Sequence, residues 1–174
     1  VFTLNDFEFC IRIGSMSIRA WLTQKIIKYL SHEVSPNRGE LCDFDRLSHE
    51  IRPADVLLVE GCNRVSLIIN NITKSTWSHS ALYIGRLHDI EDPALREIVH
   101  QKHKGSPHVK LVIESYVGKG TIISPLSSYE GHHLRICRPT GITHRDAQQV
   151  ITYAISRVGK LYDIRQFLDL GRFL

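Results

Sequence analysis

Residues 77–85, Trp77-Ser78-His79-Ser80-Ala81-Leu82-Tyr83-Ile84-Gly85, set a histidine at the mouth of a short apolar strand. Backbone held in a sheet fixes such an imidazole, while its place at the strand mouth leaves it near solvent. That combination suits a residue that exchanges protons with a nucleophile and a substrate. Upstream, Arg52-Pro53-Ala54-Asp55-Val56-Leu57-Leu58-Val59-Glu60-Gly61 reads as a second strand entered through a turn. Downstream, Lys110-Leu111-Val112-Ile113-Glu114 reads as a third, ending in a carboxylate. If the strands are neighbours, His79 and Glu114 share a site.

The rest of the chain supplies helices around these strands. Ile18, Leu22, Ile26, Tyr29 and Leu30 recur at helical spacing, which predicts an amphipathic helix over about 16–31. Ser35 to His49, with Pro36, Asn37 and Gly39, reads as a connector. Val65, Ile68, Ile69 and Ile72 follow the i, i+3, i+4, i+7 pattern of a short helix between the first two strands. The polar stretch from Leu87 to His108 is expected as an excursion, with a short helix from Pro93 to about His103 closed by Gly105-Ser106-Pro107.

Two further strands are expected at Gly120 to Ile123 and His133 to Arg138, with a turn over Ser127 to Gly131 between them. Thr143 and Asp146 then form a capping-box start, with Asp a shorter reach than the usual Glu or Gln. Ala147, Val150, Ile151, Ala154, Ile155 and Val158 make that helix's stripe, and Gly159 is its expected C-cap. Tyr162 to Leu174 reads as an element cut off partway.

At 174 residues the chain accommodates one domain with a real core. Its 43% hydrophobic and 23% charged residues lie in the ordinary globular range. No apolar run approaches the roughly 18 residues that mark a transmembrane helix candidate. The first residues lack the basic region and apolar run of a signal peptide, which favours the cytoplasm. A net charge of +4 is spread among acidic residues rather than massed on a stripe, so nucleic acid is not an expected partner.

Cys10, Cys42, Cys62 and Cys137 form no C-x-x-C pair, so neither a zinc ribbon nor a disulfide frame is implied. His100 and His103, with His88, His108, His132 and His133 near in sequence, lack a recognised ligand spacing and read as a solvated polar insertion. Gly118-Lys119-Gly120-Thr121 lacks the frame of a phosphate loop. No cofactor and no metal are therefore expected.

The strand motifs, from Arg52 to Gly61, Trp77 to Gly85 and Val112-Ile113-Glu114, resemble the permuted papain-fold group of the NlpC/P60 superfamily, the YiiX-like proteins. The resemblance continues through Gly120 to Leu126, Arg135-Ile136-Cys137-Arg138-Pro139 and Gly159-Lys160-Leu161-Tyr162-Asp163. It implies an α+β, permuted papain-like fold, a small antiparallel sheet or barrel packed by helices. It also implies two segments: an N-terminal helix and connector over 1–50, and a papain-like domain over 51–174 that lacks its C-terminal part.

In that group a histidine comes first, a carboxylate follows and a nucleophilic cysteine comes last. His79 matches the histidine and Glu114 the acid. No cysteine here occupies the third place, which the resemblance puts some tens of residues beyond Tyr162-Asp163. The implied activity is an amidase or peptidase that works through a thioester, with its sulfur beyond residue 174. The implied substrate is a peptide, an isopeptide or a lipid amide. The alternative is a domain that keeps the cleft to bind rather than to cleave. Ala54, where relatives usually carry Gly, departs from the pattern in a turn.

Each candidate also has a plain structural role. His79 could be bonded to a backbone carbonyl, and Glu114 could be a solvated strand-end acid. Tyr83 shares the His79 face by period-two counting, so it packs locally or lines the site. Cys62 precedes the helix expected near Arg64, where the positive end of the helix dipole favours thiolate. It is thus an alternative nucleophile as well as a small residue in a turn. Cys137 reads as an inert strand residue between arginines.

Overall fold

Short apolar runs, Val56–Val59, Ala81–Ile84 and Leu111–Ile113, build the centre of the molecule. The computed structural model describes residues 42–161 other than 117 and 118, together with Lys25, Tyr29 and His32. The strands are β1 (Val56–Val59), β2 (His79–Gly85), β3 (Leu111–Tyr116), β4 (Gly120–Pro125) and β5 (Leu134–Cys137). They form one open antiparallel sheet in the order β4-β3-β2-β1-β5. β2 is the central strand, and β1 lies between it and the edge strand β5, with Val59 opposite His79 on one side and Leu134 on the other.

Among residues 42–161 the helices are α1 (Phe44–Glu50), α2 (Arg64–Thr73), α3 (Pro93–Lys102) and α4 (His144–Ser156). Two clusters show how they cover the sheet. Leu57, Val59, Ala81, Tyr83, Val112 and Leu134 line one face and pack with Leu47 of α1 and with Ile51. Ile84, Leu111 and Ile113 line the other face, against Val99 of α3 and Ile151 and Ile155 of α4. Burying each of these large side chains contributes about 1.5–3 kcal/mol, so the two clusters fix which strand residues face which way.

Local signals set the ends of the elements. Asn63 caps α2 by accepting from the Ser66 amide at 2.9 Å. Asp92 caps α3 ahead of Pro93, and Pro tolerates the first turn because its missing N–H would find no helical partner there. The capping box of α4 forms despite the shorter acid: Thr143 and Asp146 exchange side-chain-to-backbone bonds in both directions.

Several expectations are corrected. The connector over Ser35 to His49 ends in α1, capped by Asp43, because Phe44, Leu47 and Ile51 together present an apolar edge to the sheet. β3 runs two residues past Glu114, since its ladder with β4 continues to the Tyr116–Gly120 pair. Within the expected turn after β4, Leu126–Tyr129 forms a 3-10 turn that buries both Leu126 and Tyr129. Val150 lies on the exposed side of α4, off the stripe of Ala147, Ile151 and Ile155. That helix is C-capped by Arg157, and Gly159 takes its positive φ of 88° two residues later.

The helix expected over 16–31 and the segment from Tyr162 onward lie outside the described residues, although Lys25 and Tyr29 are helical. Among the described residues no helix is long and apolar enough to cross a membrane.

Candidate active site

His79 opens β2 and is clamped through its neighbours. Ser78 N–H donates to the Val59 carbonyl at 3.2 Å, and His79 itself stands opposite Val59. On β3, Glu114 stands opposite Ala81. His79 and Ala81 are two residues apart on one strand and so share a face, which puts Glu114 diagonally across from the imidazole. The carboxylate closes that gap, with His79 Nε2 2.8 Å from Glu114 Oε2.

A third side chain completes the group. The Tyr129 hydroxyl donates to Glu114 Oε2 at 2.7 Å and lies 3.1 Å from His79 Nε2. Its ring lies near the imidazole at 28° between planes, with 6.2 Å between centroids. The exposure gradient is steep: Glu114 is 8% exposed and the His79 side chain 28%. The acid is enclosed while the imidazole reaches solvent.

The proton positions follow from these contacts. Burial pushes the Glu114 carboxyl up, but hydrogen bonds from His79, Ser124 and Tyr129 outweigh it and hold the group below the ordinary carboxylate range. An ionised Glu114 can only accept. Burial and the adjacent Glu114 charge push the Tyr129 phenol up, so it keeps its proton and donates. With both neighbours accepting toward it, Nε2 is assigned the imidazole N–H, and Nδ1 of the neutral ring carries the lone pair. A ring held this way can take a proton at Nδ1 while Glu114 stabilises the resulting cation.

A cavity of about 560 Å³ lies mainly over the sheet face opposite the one that His79 and Glu114 share. Val56, Leu58, Leu82 and Ile113 give it apolar walls and Ser80 and Ser115 polar ones, all alternating away from His79, Ala81 and Glu114, whose positions border it. Trp77 and Ser78 border it as well. Trp77 packs on His133 at 4.8 Å between centroids, and His133 Nδ1 pairs with Glu60 Oε2 at 2.8 Å, so the start of the motif rests on a second histidine–carboxylate pair.

The other sequence candidates fall elsewhere. Tyr83 is 3% exposed within the sheet core, and burial, with the Asp89 charge, pushes its phenol up to about 12. Cys62 lies ahead of the Asn63 cap rather than within the first turn of α2, with its Sγ 3.9 Å from the Glu60 carbonyl. Cys137 is opposite Val56, three residues along β1 from the level of His79, or about 10 Å of strand. Cys42 packs against the core cluster that contains Leu47, and burial pushes its thiol up.

Spacing along the chain does not single out Tyr129. It belongs to no motif, and the one signal that pointed to it is an aromatic in the polar run Ser127-Ser128-Tyr129-Glu130-Gly131. A tyrosine buried from such a turn needs a partner for its hydroxyl.

A family model described as permuted papain-like amidase enzyme, YaeF/YiiX, C92 family matches residues 50–169. That span holds His79, Glu114 and Tyr129, together with every strand of the sheet. No curated protein matches the chain.

Proposed function

From the premise that this chain belongs to the permuted papain-like amidase family, we propose that His79 is the general base of a cysteine hydrolase and Glu114 the group that orients it. The family supports the class of reaction and an amide or peptide substrate. The observation that carries the residue assignment is the 2.8 Å contact between His79 Nε2 and Glu114 Oε2, which leaves Nδ1 as the nitrogen that works on a thiol.

In this reading the nucleophilic sulfur comes from sequence following residue 174, in the family order of histidine, carboxylate and cysteine. The thiol proton passes to His79 Nδ1 and the thiolate attacks the substrate carbonyl carbon. When the tetrahedral adduct collapses, the C–N bond breaks, the amine leaves with the proton from the imidazolium, and a thioester remains. Water, deprotonated by the same nitrogen, then releases the acid and restores the thiol.

The test uses protein extended past Leu174, alkylated with iodoacetamide near neutral pH and mapped by mass spectrometry. A single fast-reacting cysteine beyond residue 174, slowed by about 10²-fold or more in His79→Ala, is the expected result. Equal reactivity in wild type and His79→Ala overturns the assignment and favours a cleft that binds without cleaving.

A further inference from the structure

We propose that Tyr129 is a positioning residue that sets the basicity and tautomer of His79 through Glu114. The inference rests on the reading of His79 and Glu114 as the acid–base pair. The geometry is specific. Tyr129 and His79 approach the same carboxylate oxygen, at 2.7 Å and 2.8 Å, and their own polar atoms are 3.1 Å apart. The phenol has one proton, and the ionised carboxylate is the stronger acceptor, so that proton goes to Glu114. Toward His79 the phenol oxygen only accepts.

Two consequences follow. Tyr129 draws charge from the oxygen that stabilises the imidazolium, and so limits how strongly His79 holds a proton. It also disfavours the Nδ1–H tautomer, in which a bare Nε2 would face the ionised carboxylate and a phenol oxygen whose proton is already given to that carboxylate. The fold supports this placement. The 3-10 turn carrying Tyr129 is pinned by Leu126 N–H donating to the Lys110 carbonyl at 2.8 Å, and Tyr129 is 7% exposed. The other groups around the cluster are Ser124 and Tyr116 from the neighbouring strands and His132, whose ring meets Tyr129 edge-on at 6.0 Å.

The test reads His79 itself by ¹⁵N and ¹H NMR titration of the 174-residue chain, so it needs no turnover. Tyr129→Phe removes only the hydroxyl, and the His79 midpoint is expected to rise by on the order of half a pH unit as Glu114 concentrates its charge on the ring. Replacing Tyr129 with 3-fluorotyrosine keeps the hydroxyl and makes it a stronger donor, so the midpoint is expected to fall. In a Glu114→Gln background both changes should lose their effect.

Midpoints that do not move, that move in the same direction for both replacements, or that move equally in the Glu114→Gln background each overturn the proposal. Should Tyr129→Phe not fold, the fluorotyrosine chain still decides between these outcomes. Loss of the base assignment would appear instead as undiminished thiol reactivity in His79→Ala, a separate readout.

Discussion

Glu114 faces Ala81 across the β2–β3 ladder, yet its carboxylate bonds to His79, two residues further along the same face. The diagonal lets a buried strand residue hold a ring at the strand mouth. The acid stays in the interior, where its partners keep it charged, and the imidazole stays within reach of solvent. Charge and access are thus divided between two strands.

The diagonal separates the acid's charge from its shape. Glu114→Gln keeps an oxygen that can accept from Nε2–H but loses the charge that stabilises the imidazolium. In the extended protein kcat is expected to fall by about tenfold to a hundredfold with KM little changed, and Glu114→Ala should cost more. Steady-state kinetics on an amide substrate check this, and a purely raised KM would speak against the orienting role.

Acid should expose the same bond as stability. The folded Glu114 carboxyl lies below its ordinary value of 4.5, so its contribution is fully present above that value and is lost as pH falls through the folded pKa. Urea unfolding of wild type and Glu114→Gln should therefore differ most above pH 4.5 and converge on acidification. A gap that stays constant with pH would contradict it.

Alkali tests Tyr83 with the opposite sign. Its phenol is raised from 10.0 to about 12, so the folded state holds this proton more tightly than the unfolded one. The contribution is present below pH 10 and is lost as pH rises toward about 12. Unfolding curves of Tyr83→Phe should lack that component of the alkaline loss seen in wild type. Identical slopes for the two proteins would show that the phenol is not held in this way.

Gly120 tests the seat of β4. It has φ of 77°, and a Cβ there would overlap the Lys160 carbonyl oxygen, which accepts from Thr121 N–H at 2.9 Å. Gly120→Ala is expected to cost about 2–4 kcal/mol, as left-handed strain plus a backbone clash. Gly141 has the same φ of 77° with nothing within 4 Å, so Gly141→Ala should cost only about 1–2 kcal/mol. Equal losses in urea unfolding would remove the clash from the account.

Sequence by itself determined the strands, because alternation and apolar runs depend only on neighbours along the chain. It also picked out His79 and Glu114, whose motifs lie on those strands, and the start of α4, whose capping box is complete within Thr143 to Asp146. It could not determine that α1 forms from Phe44, since that short helix gains its stability from Leu47 and Ile51 packing on a distant sheet. Nor could it separate Tyr83 from Tyr129. By period-two counting Tyr83 shares the histidine's face, but the sheet buries it in the core. Tyr129, 50 residues from His79 and in no motif, reaches the site because the chain turns back after β4. Periodicity fixes which way a side chain points from its strand, whereas the meeting of one oxygen with two donors is decided only when separate segments fold together.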